Sequence, residues 1–389
     1  MNPLFEGLGT SIFTTMSGLA VEHGAVNLGQ GFPDFGWPDD VVTRAADALR
    51  TGSNQYAPMR GLPALREAVA AHYAEHHNIH YSADEVTVTS GATEALAAAI
   101  LALVSPGDEV VLFQPLYDAY VPMVRRAGGV PRFVRLAPPE WRITAAALDD
   151  AVTDRTRLVI FNNPHNPTAR LFDAAELALV AAACVRADAV LLTDEVWEHV
   201  VLDGRRFTPM AALPGMAERT VKVGSAGKIF SLTGWKVGWI CAPERLMRPI
   251  ANAHQFLAFA TPPNLQAAVA YGLGKDEDYF SDMRNHFAEA RDLLAAGLAG
   301  IGYRTLASEG TYFLCVDLAA SGIAADDRAF CERAVREAGV AAIPLSPFYE
   351  DAPVTSVIRL CFAKQRNTIE RGLAGLAKAR ILPPDHRSS

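Results

Sequence analysis

Ser225-Ala226-Gly227-Lys228-Ile229-Phe230-Ser231-Leu232-Thr233-Gly234-Trp235-Lys236-Val237-Gly238 decides how the rest of this chain is read. It sets Lys228 between a small, polar approach and a run with few charges. An exposed lysine needs no such frame. A lysine that forms an imine does, because its amine must lose a proton before it can attack. A free amine titrates near ~10.4, so burial or a neighbouring cation has to bring it down. Lys236, eight residues on, is placed to supply that cation and to hold a phosphate. A glycine-rich turn between two strands with an incidental lysine is the plainer reading of the same residues.

The bulk numbers bound the answer. The chain has 389 residues, long for one core and suggestive of two domains. Half of the residues are hydrophobic, enough for a large interior. Net charge is −8, and no Lys/Arg run stands out, which argues against a nucleic-acid partner. Five cysteines, Cys184, Cys241, Cys315, Cys331 and Cys361, are scattered without a CxxC pair. That pattern fits mostly buried thiols in a reducing cytoplasm. The N-terminus lacks a basic region followed by an apolar core, so no signal peptide is expected. No apolar run approaches the ~20 residues that span a bilayer.

Residues 1–35, rich in Gly, Ser and Thr, read as an irregular arm. Pro38 opens a helical pattern to about residue 51. A second runs from about 62 to 78, with Pro63 suited to a first-turn position. Short apolar strands then alternate with helices: strands at 86–89, 109–113, 130–136, 158–161, 190–193, 221–224 and 237–241, and helices at 92–104 and 173–186. Asp173-x-x-Glu176 is a plausible N-terminal cap for the latter. Such alternation means an α/β domain with a largely parallel sheet flanked by helices. After about 270 the pattern turns to long helices with few strands, such as 312–317 and 357–361. The expected division is an arm at 1–35 joined to a small α+β domain at 271–389, with a large domain at 36–270.

Candidate site residues lie at expected strand ends, where open α/β sheets bind ligands. Ser90-Gly91-Ala92-Thr93 joins a strand to a helix, whose N-terminus offers free N–H groups to a phosphate. Taken alone, this motif reads more simply as an ordinary Ser/Thr cap. Asn162-Asn163-Pro164-His165-Asn166-Pro167-Thr168 has two X-Pro units that fix a turn and leave Asn166 on a rigid loop. Thr193-Asp194-Glu195-Val196-Trp197 follows an apolar strand. A carboxylate there is costly to bury unless paired. Arg359 sits in apolar Val357-Ile358-Arg359-Leu360-Cys361-Phe362 and needs an anion, for which its fork matches a carboxylate. A structural ion pair is the alternative.

These segments, in this order, resemble those of class I/II aminotransferases, fold type I enzymes dependent on pyridoxal 5′-phosphate (PLP). The Gly234-Trp235-Lys236-Val237-Gly238-Trp239 ending looks most like the kynurenine, glutamine and methionine aminotransferase branch. The resemblance runs from about residue 27 to 375. It implies that Lys228 holds the cofactor and moves the proton. Asp194 would pair with the pyridine nitrogen and keep the ring an electron sink. Gly91, Ala92, Thr93, Ser225 and Lys236 would form the phosphate cup, and Tyr117 would stack on the ring. Asn166 would donate to the phenolic oxygen and, with Arg359, hold the substrate carboxylate. Gly29-Gln30-Gly31-Phe32-Pro33-Asp34 resembles the arm that covers substrate, with Gly31 allowing close approach. Tyr56, between Asn54-Gln55 and Arg60-Gly61, matches a tyrosine that reaches the neighbouring subunit's phosphate, which implies a homodimer with shared sites.

Two departures stand out. The usual glycine after Asn-Pro-Thr is Ala169. The usual tyrosine after Asp-Glu-Val is Trp197, which can donate through its indole but cannot accept or ionise. The expected consequence is a raised imine pKa. By resemblance the activity is ping-pong transfer of an amino group from an amino acid to a 2-oxo acid. A large neutral side chain is expected, since no second arginine for a side-chain carboxylate is evident beyond Arg60 or Arg170. A carbon–sulfur β-lyase on the same scaffold shares every residue named. A PLP-binding regulatory module usually carries a DNA-binding domain in front, and this chain starts almost directly with the arm. Gly227-Lys228 is not a phosphate-binding loop of the P-loop type. His76, His77 and His80 read as a solvated face, and no metal is expected.

Overall fold

The computed structural model describes residue 1 and residues 3–382. The expected C-terminal unit, 271–389, runs past them at 383–389. Seven strands make the main sheet, in the order Val86–Ser90, Val237–Cys241, Thr220–Ser225, Val190–Asp194, Thr156–Asn162, Glu109–Gln114, Val130–Arg135. Val237–Cys241 runs antiparallel to both of its neighbours, and the remaining pairings are parallel. Most of these strands are buried along their length. That explains why they read as near-continuous apolar runs instead of alternating ones.

The antiparallel strand has a direct consequence for the site. It brings its own N-terminal end to the edge where the parallel strands finish. Ser90 pairs with Val237 and Ser225 with Gly238. Lys236 therefore lies beside Gly91, although the two are far apart in sequence.

A four-stranded antiparallel sheet follows, in the order Ile343–Pro344, Val357–Cys361, Phe313–Asp317, Arg304–Thr305. The long helix Glu277–Gly300 leads into it. Arg359 stands on its central strand opposite Cys315 and Ile343.

The arm is more ordered than its composition suggests. Ile12–Glu22 is a helix, and Ser11 caps it by accepting from the Thr14 N–H at 3.3 Å. Met16 and Ala20, four residues apart, are buried, and the helix packs against Asp327–Ala338. Val26–Asn27 then pairs in parallel with Val340–Ala341. Thr, Gly and β-branched residues are weak helix formers, so tertiary packing supplies what propensity does not.

The histidine reading also needs correction. His80 is exposed, but the side chains of His76 and His77 are 9% exposed. They lie at the end of helix Pro63–His77, which packs onto the turn after Asp194. His72 and His199 share a hydrogen bond of 2.7 Å. His77 lies 3.2 Å from Glu198. His77, Glu198 and His199 bring ligand-type atoms within 4.8 Å of one another. The buried Lys222 ammonium already contacts Glu198 at 2.8 Å and Glu195 at 2.5 Å, while Tyr73 donates to the other Glu198 oxygen. An ammonium group thus does the neutralising that a metal ion would otherwise do.

Candidate active site

A cavity of ≈ 330 Å³ opens where the carboxyl ends of the main sheet face the arm and the small sheet. Gly31, Gly91, Ala92, Thr93, Tyr117, Asn166, Asp194, Trp197, Ser225, Lys228, Lys236 and Arg359 all line it. Tyr56 does not. It is 88% exposed and packs edge-on against Phe259 at 5.6 Å.

Each wall has a structural reason. Gly91 begins the helix Gly91–Leu103 with φ +70, a conformation that side chains resist. A methyl there would meet Lys236 Cε at 3.2 Å, and a methyl at Gly238 would lie 2.7 Å from the Gly91 carbonyl carbon. The two glycines let backbone N–H groups, the helix N-terminus and the Lys236 ammonium converge on one point. Anions are favoured there.

Asp194 closes its strand and is buried. One oxygen accepts from the Tyr120 hydroxyl at 2.7 Å, the other from the Val196 N–H at 3.4 Å. Both partners are neutral. Burial pushes the carboxyl pKa up, against the pull of Tyr120. The group therefore gains from a cation placed against it.

Lys228 follows the strand Thr220–Ser225 in the short helix Ala226–Ile229. Burial brings its pKa down to about 8, with Asp194 opposing and Arg359 and Lys236 assisting. Both expected causes act, and burial dominates. Nζ lies 4.7 Å from the Trp197 ring centre.

Arg359 is 1% exposed. It donates to Asn166 Oδ1 at 2.7 Å and to the Gly29 carbonyl at 3.2 Å, and it lies 3.8 Å over the Phe313 ring. No carboxylate pairs with it, which removes the structural ion pair as the reading of this residue among the described residues. Because the Asn166 carbonyl serves Arg359, its amide hydrogens are left to face the cavity. Asn162 steadies that loop. Its carbonyl oxygen accepts from the Asn166 N–H at 2.7 Å, and its amide donates to the Asp194 carbonyl at 2.7 Å.

Several contributors carried no signal of their own. Tyr120 is three residues after Tyr117 in an unremarkable helix. Asn162 was hidden inside the Asn/Pro loop. Phe13 and Phe313, which line the apolar side, come from the arm and the small sheet. Ala169 sits at φ +62, which explains why glycine is the usual residue there. Arg60 and Arg170 are elsewhere. Arg170 is held by Glu176 at 2.6 Å and Glu309 at 3.6 Å, and Arg60 by Glu244 at 3.3 Å.

A lysine of lowered pKa, a buried carboxylate without a charged hydrogen-bond partner, a glycine-lined cradle beside Lys236 and a buried arginine thus meet in one cavity. Comparison with known proteins takes the assignment further: residues 23–376 match the model for aminotransferase class I and II, and the chain belongs to that family. It is 43% identical over 380 residues to the probable N-succinyldiaminopimelate aminotransferase of Mycobacterium tuberculosis, covering 95% of this chain and 96% of the relative. It is 42% identical over 363 residues to the methionine aminotransferase of Escherichia coli, covering 93% and 94%. The solved structure of the M. tuberculosis N-succinyldiaminopimelate aminotransferase superposes with a TM-score of 0.94 over 97% of this chain and 99% of that one. The fold is that of PLP-dependent transferases of type I. The chain is an aminotransferase; these relatives support transamination and lend nothing to the lyase reading.

Proposed function

We propose that this aminotransferase binds pyridoxal 5′-phosphate through Lys228 and moves the amino group of a large neutral amino acid to a 2-oxo acid. The observation that carries this reading is the convergence of Lys228, Asp194 and Arg359 on one cavity whose other walls include the rings of Phe13, Tyr117, Trp197 and Phe313. The residues present fit the cofactor: Asp194 has only neutral partners and would accept a pyridinium, and the Gly91–Lys236 cradle would take a phosphate. Thr93, Ala92 and Ser225 would complete that cradle, and Tyr117 would stack on the cofactor's ring. When bound, the cofactor supplies the electron sink for the charge that develops at the substrate α-carbon.

The chain's own residues do the rest. Arg359 receives the α-carboxylate through its fork, with Asn166 beside it. Gly31 brings the arm over the substrate; a methyl there would lie 2.6 Å from the Phe313 ring. With its pKa lowered to about 8, Lys228 has a fraction of its amine neutral near physiological pH, far more than a free lysine has. Its Nζ would take the proton from the substrate α-carbon as base and, as acid, deliver it to the C4′ carbon of the bound cofactor; the second half of the reaction would run the same transfer in reverse.

Side-chain preference follows from what the cavity lacks. Its cations are Lys228, Lys236 and Arg359, all occupied in this reading. A second carboxylate, as in aspartate or a succinyl group, finds no further cation among the described residues that line the cavity, whereas Phe13, Phe313 and Tyr117 suit methionine or an aromatic ring. In this reading residues 36–270 would carry the cofactor, and the arm with the small sheet that bears Phe313 and Arg359 would close over the substrate. Tyr56 would serve the second copy in a homodimer. The five cysteines, all free and buried, suit a cytoplasmic enzyme.

The test is a visible absorbance scan of the PLP-loaded protein. Methionine or phenylalanine should bleach the yellow band, and a 2-oxo acid should restore it. Lys228→Ala should abolish the cycle. A higher kcat/KM for aspartate than for methionine or phenylalanine would refute the substrate class, and a yellow protein that never cycles would refute the activity on these donors.

A further inference from the structure

Tyr312 lies outside every motif quoted above, yet its hydroxyl is the hydrogen-bond partner of the Lys228 amine, at 3.1 Å. The same hydroxyl donates to the Gly31 carbonyl at 2.8 Å. The direction of both bonds is fixed. A carbonyl only accepts, so the single phenolic hydrogen goes to Gly31 and the oxygen lone pairs face Nζ. The amine therefore donates one N–H to a fixed acceptor. That keeps the lone pair, the part that takes a proton, off the Tyr312 side and confines it to the two remaining tetrahedral positions.

Trp197 cannot do this. Its ring lies 4.7 Å from Nζ and meets Tyr312 edge-on at 4.3 Å, but an indole has no oxygen to accept from an amine. The Tyr312 ring is itself held firmly. It is fully buried. Thr311, at φ +61, donates its N–H to the Val200 carbonyl at 2.8 Å. Gly310 bridges to Val201, and the Tyr312 carbonyl accepts from the Phe362 N–H at 3.0 Å. The chain just after Trp197 thus anchors the tyrosine that stands over the amine. Burial also keeps the phenol neutral, its pKa well above the ordinary value.

We propose that Tyr312 is a positioning residue whose hydroxyl orients the Lys228 amine for proton transfer and links it to the arm at Gly31, a task for which Trp197 offers no oxygen. The proposal rests on Lys228 being the lysine that carries the cofactor and moves the proton.

Tyr312→Phe removes one oxygen and keeps the ring. With whichever of methionine and phenylalanine bleaches the yellow band faster, kcat should fall about 10-fold or more, the lower end of what positioned proton transfer contributes being larger still. KM should change less than about threefold. The deuterium isotope effect from the α-deuterated donor should grow, and the pH midpoint of the yellow band should move. A packing role alone would lower the melting temperature and leave isotope effect and midpoint in place. A second variant tests the reason: Trp197→Tyr returns an oxygen beside the amine, so Tyr312→Phe in that background should cost less than in the wild type. Equal losses in the two backgrounds, or an unchanged isotope effect and midpoint in Tyr312→Phe, would overturn the proposal. Lys228→Ala separates the two levels: if it keeps the yellow band, the lysine assignment falls and the proposal with it, whereas a colourless Lys228→Ala beside an unaffected Tyr312→Phe sinks the proposal alone.

Discussion

In the cavity the fold lowers the pKa of a partly buried amine, Lys228, and raises that of a buried carboxylate, Asp194. Lys228 titrates at about 8 in the fold against ~10.4 when free. Below pH 8 both states carry the proton, and the folded state bears the full cost of burying a charge. Between about 8 and 10.4 the unfolded chain holds more protons, so stability rises with pH. In the cofactor-free protein, Lys228→Met should therefore stabilise near pH 7, by on the order of 3 kcal/mol, and the gain should shrink as pH climbs toward 10.4. Denaturation at pH 7 and pH 10 checks this; a pH-independent difference would contradict it. Asp194 gives a companion expectation. Asp194→Asn keeps the size and the acceptor for Tyr120 but loses the charge. In the PLP-loaded enzyme kcat should drop by on the order of 100-fold or more, as for loss of a preorganised charge partner, while the melting temperature of the cofactor-free protein holds or rises, since burial already raises the carboxyl pKa. A loss below threefold would remove Asp194 from the chemistry.

Elements differ in how openly the sequence announces them. The strand 237–241 was legible to the residue, and the Asp173–Glu176 cap appears as a full reciprocal box. Both depend on local chemistry: an apolar run closed off by Lys236 before it and Pro243 after it, and two side chains three apart. The helix Ile12–Glu22 was not legible, because its stability comes from Met16 and Ala20 docking on a distant helix. His76 and His77 misled for the same reason. Only the fold sets them against Glu198, Glu277 and His199. The site shows the split in miniature. Lys228, Asp194, Asn166 and Arg359 sit in motifs, whereas Tyr120 and Tyr312 matter through single hydroxyls brought in by tertiary structure. The arm offers a test at this scale. A methyl at Gly31 would strike the Phe313 ring at 2.6 Å, and this ring also lies under Arg359. Gly31→Ala should raise KM for the amino acid about 10-fold or more, as a site loosened by a misplaced contact does. Cofactor affinity should stay within about threefold of wild type. Equal KM values would show that the arm does not cover the substrate.

At the scale of the whole molecule, the cavity lies between two sheets, and one expected contributor, Tyr56, is missing from it. Tyr56 is 88% exposed, beside Phe259 at 42%, with Phe256 at 85%. Exposed aromatics grouped this way suit an interface between copies. If Tyr56 completes the neighbour's site, a mixed dimer has a predictable arithmetic. One subunit carries Lys228→Ala and an intact Tyr56. The other carries Tyr56→Ala and an intact Lys228. Of the two sites in the mixed dimer, one then has both defects and the other has none. Co-expressed in equal amounts, two weakly active variants should regain roughly one quarter of wild-type activity per subunit, because half of the dimers mix and each mixed dimer holds one sound site. If Tyr56 served its own subunit, every site would keep one defect and mixing would restore nothing. The purified mixture, assayed beside each variant alone, decides between a shared site and a self-contained one.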